Sequence, residues 1–152
     1  MRILVDADAC GVKCKIEKLA RRFGINVIMI CDTNHLVESD YAEVRYVDPG
    51  KDSADFAILN NCQSGDIVVT NDGALASLVT VKKATAINSF GRIYSAKEIE
   101  SALWSRYVMN MELKKGNGRH KVKGAHFASH TRTNFTESLL SLLNNPNAAM
   151  AG

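Results

Sequence analysis

Long apolar runs are the first thing missing from this chain of 152 residues. None approaches the ~20 residues that a bilayer-crossing helix needs, which excludes a transmembrane span of that kind. The start lacks the basic-then-apolar pattern of a secretory leader; Met1-Arg2 passes straight into Ile3-Leu4-Val5. Cysteine is sparse, at Cys10, Cys14, Cys31 and Cys62, and without a leader these read as reduced thiols in a cytoplasmic protein. Cys10 and Cys14 are one helical turn apart, but no second cysteine pair completes a zinc centre. No internal repeat is present. Hydrophobic residues make up 46% and charged residues 23%, a composition that suits one domain with a proper core. That domain is expected over residues 1–143, with 144–152 as a frayed, disordered tail.

Charge is unevenly distributed. Residues 1–112 carry 13 Lys+Arg against 15 Asp+Glu, while 113–152 carry 6 basic residues and 1 acidic one. Five of those bases, Lys114, Lys115, Arg119, Lys121 and Lys123, fall in one Gly-containing stretch with His120. This is either a solvated loop or an arm for polyanions such as nucleic acid.

Periodicity predicts alternating strands and helices. Arg2–Val5, Asn26–Cys31, Val44–Val47, Ile67–Thr70 and Ala84–Asn88 read as short buried strands. Val12–Phe23 reads as a helix with Ile16, Leu19, Ala20 and Phe23 inward, stopped by Gly24. Ser53–Asn61, capped by Asp52 or Ser53, and Ala74–Val81, with Leu75, Leu78 and Val79 inward, are the next two helices. Residues 32–43 are polar and read as loop. Strand–helix alternation implies parallel strands joined by crossovers. Beyond Asn88 the style changes. A turn at Ser89-Phe90-Gly91 leads into Arg92–Tyr94. A capping box, Ser95 with Glu98, then opens a long helix carrying Ile99, Leu103, Tyr107 and Met111 inward. A last amphipathic helix spans Thr133–Leu143, with Phe135, Leu139, Leu142 and Leu143 on one side.

Carboxylates collect where these strands end. Asp6 and Asp8 follow the first strand, Asp48, Asp52 and Asp55 the third, and Asp72 the fourth. In open α/β sheets ligands bind beyond the carboxyl ends of the strands. Crowded like charges repel there, by ~4 kcal/mol for a pair ~4 Å apart at an effective dielectric of 20. A hard divalent cation such as Mg²⁺ or Mn²⁺, held by oxygen ligands, relieves such crowding. Each acid also has a plainer role: Asp52 and Asp72 as helix caps, Asp48 as a turn residue, Asp55 as a solvated helix position. Asp66, which precedes its strand, belongs to the opposite rim as a turn residue. Lys13, Thr70 and Asn71 are candidates for holding a phosphate or water near the acids.

Three ordered motifs resemble the YaiI/YqxD family of bacterial proteins. They are Val5-Asp6-Ala7-Asp8-Ala9-Cys10, Gly50-Lys51-Asp52-Ser53-Ala54-Asp55 and Gly65-Asp66-Ile67-Val68-Val69-Thr70-Asn71-Asp72. Phe127-x4-Arg132-x2-Phe135 is similar to the family's closing segment. The chain departs from the family pattern at Gly11 and Ala74, where proline is usual, and at Thr131, where aspartate is. The family is considered similar to PIN-domain nucleases, whose acids hold Mg²⁺ or Mn²⁺ for cutting RNA. The resemblance implies an α/β fold of three α/β/α layers, PIN-like, around a mainly parallel sheet of about five strands. It also implies that Asp6 acts as a first-strand aspartate, Thr70-x-Asp72 as the later signature, and Asp52 or Asp55 as the mid-chain acid.

Three functions compete. The first is a metal-dependent phosphodiesterase acting on RNA: Asp6, Asp8 and Asp72 catalytic, Asp6, Asp52, Asp55 and Asp72 as metal ligands, the basic stretch and Lys13, Thr70 and Asn71 on the substrate. The second is a phosphatase of the haloacid-dehalogenase type, suggested by Asp6-x-Asp8 but lacking that group's downstream Gly-Asp-x-x-x-Asp. The third is a cation- and nucleic-acid-binding module without turnover. RNA is the expected partner class, a membrane is not, and an oligomer stays open.

Overall fold

The computed structural model describes residues 1–8, 10–94, 99 and 134–145. Elements follow in the order β1 (Ile3–Asp6), α1 (Lys13–Phe23), β2 (Val27–Asp32), β3 (Glu43–Val47), α2 (Ser53–Asn61), β4 (Ile67–Val69), α3 (Gly73–Val81), β5 (Thr85–Ile87), β6 (Ile93–Tyr94) and α4 (Phe135–Asn144). The six strands form one sheet in the order β3-β2-β1-β4-β5-β6. The first five are parallel, and β6 is added antiparallel to β5. The sheet thus has one strand more than expected, because the residues after Gly91 fold back as a short edge strand instead of continuing the crossover pattern.

Burial explains the layers. Strand residues with odd and even positions face opposite sides. Ile3, Val5, Val27, Met29, Ile67 and Val69 pack with α1 residues Ile16, Leu19 and Ala20 and with α4 residues Phe135, Leu139, Leu142 and Leu143. Leu4, Ile28, Ile30, Val68 and Ala86 pack on the other side against Ile58 of α2 and Leu75, Ala76 and Val79 of α3. Two apolar faces on the central strands demand helices above and below, which gives three α/β/α layers. On α3 the inward set is Leu75, Ala76 and Val79 rather than Leu78, which is half exposed. α4 starts two residues later than its periodicity suggests, because Asn134 caps it by accepting a hydrogen bond from the Thr136 amide at 3.0 Å. It also runs through Asn144, the first residue assigned to the tail. The predicted helix after Ser95, apart from buried, helical Ile99, the basic stretch, the Phe127–Arg132 segment and residues 146–152 lie outside the described residues.

The strand order places β1 beside β4, with the chain winding away from that seam in both directions. Such a reversal is where open α/β sheets leave a crevice at the carboxyl ends of the strands. All four cysteines are free thiols. Among the described residues, no helix is long and apolar enough to cross a membrane.

The opposite rim is closed by an ion pair. Asp66, only 3% exposed, accepts hydrogen bonds from the Arg2 amide (2.9 Å), the Arg2 guanidinium Nη2 (2.7 Å) and the Gln63 amide (3.0 Å). Asp66 therefore lies on the far rim, as expected, but as a buried structural anion and not merely a turn residue. Removing one partner of such a pair leaves an uncompensated buried charge and costs ~3–5 kcal/mol. Asp66→Ala should lower the unfolding free energy by about that amount in urea titrations, with Asp6 and Asp72 on the other rim unaffected in position.

Candidate functional site

At the β1–β4 seam the first strand ends on a carboxylate because Asp6 is the last residue of the buried run Ile3–Asp6. Its neighbour across the seam is Thr70, 3% exposed, which directly follows β4. The Thr70 hydroxyl donates to Asp6 Oδ2 at 3.0 Å, and its oxygen accepts from the Asp72 amide at 3.0 Å. One side chain thus fixes both the end of β1 and the turn that carries Asp72. Asp72 Oδ1 then accepts from the amides of Ala74 (2.6 Å) and Leu75 (3.2 Å), capping α3. Among the described residues Asp72 Oδ2 takes no hydrogen bond.

Asp55 enters from the first turn of α2, which packs against β1 and β2. Its carboxyl is pushed up to about 6, first by burial and then by the charges of Asp72, Asp6 and Asp52. Asp6 is also raised, chiefly by burial, against the opposing Thr70 hydrogen bond and with the Asp8 and Asp72 charges adding to it. Asp6, Asp55 and Asp72 thus form one field of mutually repelling carboxylates, with Asp52 at its margin. Asp52 occupies the N-cap position of α2 with φ 62° and makes no side-chain cap bond. A non-glycine residue in that region is held there by its surroundings, so the expected capping role gives way to a strained loop residue beside Asp55. Asp48 is exposed on the turn after β3.

Asp8 turns the other way, toward the end of β2. It accepts from the Asp32 amide at 3.1 Å, and its Oδ1 lies 3.3 Å from His35 Nδ1. His35 Nδ1 is also 2.8 Å from Asp32 Oδ1. One ligand-type atom from each of Asp8, Asp32 and His35 lies within 4.8 Å of the others, which makes them a group able to hold a metal ion. Asp32 and His35 were not among the residues singled out from the sequence, where they fell into a polar loop. The signal was there: Asp32 ends the apolar run Val27–Asp32 as Asp6 ends Ile3–Asp6. The Asp32 hydrogen bond, foremost, raises the His35 imidazole above its usual range, while the same bond lowers the Asp32 carboxyl.

Of the other sequence candidates, Lys13 opens α1 and donates from Nζ to the Ala7 carbonyl at 3.1 Å. Its charge acts on His35 and on the buried thiols of Cys10 and Cys31, which places it beside the Asp8 group. Asn71 lies between Thr70 and Asp72, and its Oδ1 accepts from the Ser89 amide (3.0 Å) and hydroxyl (2.8 Å). Lys114, Lys115, Arg119, Lys121 and Lys123 lie outside the described residues. A cavity of about 350 Å³ lies at the opposite rim, lined by Arg2, Asn26, Tyr41, Glu43 and Arg45. Arg2 there is engaged by Asp66, and Arg45 by Glu43 at 2.7 Å.

Among the described residues Asp8, Asp32 and His35 are the group whose ligand atoms lie within 4.8 Å of one another; Asp6, Asp55 and Asp72, expected as metal ligands with Asp52, do not form such a group. Two carboxylates and an imidazole at Asp8, Asp32 and His35 also accommodate softer divalent ions.

Residues 4–145 match the model of a family described as uncharacterised, the YaiI/YqxD family. Among curated proteins, the chain is 46% identical over 119 residues to a UPF0178 protein of Clostridium tetani, covering 78% of this chain and 81% of that one. It is 41% identical over 120 residues to a UPF0178 protein of Natranaerobius thermophilus, covering 79% and 81%. A third UPF0178 protein, from Clostridium kluyveri, is 45% identical over 119 residues, covering 78% of each. No solved structure matches the chain significantly.

Two titrations test this geometry. A histidine whose folded value is raised contributes stability below its unfolded value and loses it as pH rises through the folded one; a lowered aspartate contributes above its unfolded value. The His35–Asp32 pair should therefore be strongest between the acid range of Asp32 and the raised range of His35. In NMR titrations the His35 ring midpoint is expected above 6.5 and should return toward 6.5 in Asp32→Asn. Asp55 behaves oppositely: its raised value binds protons in the folded state, so its contribution falls as pH rises from about 4 to about 6. In metal-free protein at neutral pH, Asp55→Asn should raise the melting temperature by a few degrees, the scale of a ~1 kcal/mol relief in a chain of this size, reduced by solvent screening. At pH 4 the gain should vanish.

Proposed function

We propose, for a chain that belongs to the YaiI/YqxD family, that the Asp6–Asp55–Asp72 site is the centre of a divalent-metal-dependent phosphodiesterase acting on RNA. The observation that carries this reading is the gathering of acids at the β1–β4 seam, where Thr70 links Asp6 to the turn of Asp72 and the charges of Asp72, Asp6 and Asp52, after burial, push the Asp55 carboxyl up to about 6. A fold that buries charge normally pairs it; a divalent ion would supply that pairing here. Three carboxylates are the donor type that suits Mg²⁺ or Mn²⁺, and Asp6, Asp55 and Asp72, not yet within 4.8 Å of one another as Asp8, Asp32 and His35 are, would close on the ion to hold it. When bound, such an ion supplies an activated water and stabilises charge building on a phosphoryl oxygen.

The chain's own residues do the rest. Thr70 holds the Asp6 carboxylate at a fixed angle and sets the turn of Asp72. The α3 amides draw Asp72 Oδ1 inward, which leaves Oδ2 as the oxygen for a ligand. Asp55, ionised only near and above pH 6, limits cation loading at lower pH. The basic stretch Lys114–Lys123 has the charge to track a phosphate backbone, and Asp8 and Lys13, at the end of β1 and the start of α1, border the same rim. The PIN-type signature in the sequence supports hydrolysis of RNA in particular.

A second reading is a cation- and nucleic-acid-binding protein without turnover. It is favoured by Asp72, whose Oδ1 is engaged in an ordinary helix cap.

Cleavage of several RNAs separates the two. Wild-type protein should cut with Mg²⁺ or Mn²⁺ and stop with EDTA, and Asp6→Asn should lower the rate at least ~100-fold, about 2.7 kcal/mol, with an unchanged circular dichroism spectrum. Activity should fall as pH drops below 6. Metal binding without cutting supports the second reading, and cutting by Asp6→Asn at the wild-type rate sinks the first.

A further inference from the structure

A second set of ligand-type side chains stands apart from Asp6, Asp55 and Asp72. Asp6 pairs with Ile30 across β1 and β2, and Asp8 and Asp32 each lie two residues further on. Parallel pairing therefore brings these two acids to neighbouring places at the carboxyl ends of the strands. His35 returns to them through the turn that follows β2. Its amide donates to the Asp32 carbonyl at 3.1 Å, and its Nδ1 lies 2.8 Å from Asp32 Oδ1 and 3.3 Å from Asp8 Oδ1. Two strand ends and one turn thus bring two oxygens and a nitrogen within 4.8 Å of one another.

Backbone amides orient the two carboxylates without neutralising them: Asp8 accepts from the Asp32 amide at 3.1 Å, and Asp32 from the Asn34 amide at 2.8 Å. Two negative charges then face one ring nitrogen, which can carry a single hydrogen. A divalent ion in place of that hydrogen meets both carboxylates and the nitrogen at once. Ligands ~2.0–2.2 Å from a tetrahedral ion stand ~3.3–3.6 Å apart. The Asp8–His35 separation of 3.3 Å already matches. The Asp32–His35 separation of 2.8 Å has only to open by about 0.5 Å as the ion displaces the proton. Donor type narrows the choice of ion. Imidazole is a ligand of Zn²⁺ and related transition ions, whereas Mg²⁺ takes oxygen ligands and gives up water reluctantly. The side chains of Asp8 and Asp32 are 24% and 23% exposed and that of His35 52%, so an ion can reach them from solvent.

We propose that Asp8 Oδ1, Asp32 Oδ1 and His35 Nδ1 are the three protein ligands of a divalent ion of the zinc class, at a site separate from Asp6, Asp55 and Asp72. Three protein ligands leave a fourth position for water or for a ligand from solution, the pattern of zinc sites that are open and not purely structural. The frame is set before the ion arrives. The Thr33 amide donates to the Val47 carbonyl at 3.2 Å, tying the His35 turn to β3, and the Asp32 amide holds Asp8. Binding exchanges a proton for an ion on a backbone that is already in place. The inference does not rest on hydrolysis at the neighbouring acids, and its failure leaves that reading untouched.

The test is a titration of the full chain with Zn²⁺, and with Mg²⁺ in parallel, followed at the histidine ring nitrogens by NMR. The ring of His35 reports this site alone, and those of His120, His126 and His130 report any binding elsewhere in the chain. Zn²⁺ should shift the His35 Nδ1 resonance and fix the ring as the Nε2–H tautomer, and Mg²⁺ at the same concentration should do neither. Asp8→Asn and Asp32→Asn, which keep the amide-accepting oxygen and lose the charge, should each weaken Zn²⁺ at His35 at least ~10-fold, the smallest loss that even a residue outside the ligand shell produces. Circular dichroism should be unchanged in both. Asp55→Asn, at the other group of acids, should leave the His35 affinity within about twofold, as separate sites do. A His35 ring unmoved by Zn²⁺, a ring moved equally by Mg²⁺, an Asp8→Asn or Asp32→Asn chain that binds as wild type does, or an Asp55→Asn chain that loses the ion at His35 each overturns the proposal.

Discussion

The buried hydroxyl of Thr70 joins two segments that are distant in sequence and adjacent in the sheet. By donating to Asp6 and accepting from the Asp72 amide, it sets the end of β1 relative to the start of α3. Much of the acidic site follows from that link. Asp72 is aimed by the turn that Thr70 stabilises, and Asp6 is held partly buried, where its charge is costly. α2, packed on the same strands, brings in Asp55. The hydrogen bond to Thr70 lowers the Asp6 carboxyl, but not enough to offset burial and its acidic neighbours. The fold holds this arrangement at an electrostatic cost.

The two rims of the sheet treat their carboxylates in opposite ways. Asp66 is more buried than Asp6, yet a guanidinium and two amides surround it. Asp6 and Asp55 are instead pushed up by burial and by the charges of other acids. Among the described residues the difference is one of placement, with Arg2 set at the Asp66 rim. A rim saturated by its own ion pair is structural. The rim at the switch point of the parallel sheet keeps its acids together, and beside it, toward β2, Asp8, Asp32 and His35 form a group able to hold a metal ion.

Apolar patterning made the three-layer architecture readable in advance. Strands β1, β2 and β4 are short β-branched runs bounded by turn residues, and both of their faces are buried, which periodicity captures directly. The inward faces of α1 and α4 followed from 3.6-residue spacing. α3 was harder to read: Gly73–Val81 is apolar nearly all round, so spacing could not show that Ala76 faces in and Leu78 out. Edge strand β6 was legible as a segment but not as a sixth strand, since two residues carry too little pattern.

Site residues divide along the same line. Asp6 and Asp72 were legible because each ends or follows a buried strand, and strand ends in a parallel sheet share a rim. Asp32 meets the same criterion, but its role depends on His35 returning to it within a polar loop, and such a local return leaves no periodic trace. Local sequence determined which acids reach the rim, because hydrophobic alternation and turn chemistry act over a few residues. Only the tertiary structure decided the grouping: Asp55 with Asp6 and Asp72, Asp8 with Asp32 and His35, and Asp66 with Arg2. Those partners are brought together by strand order and helix packing, and charges interact through distances in space that residue spacing along the chain does not encode.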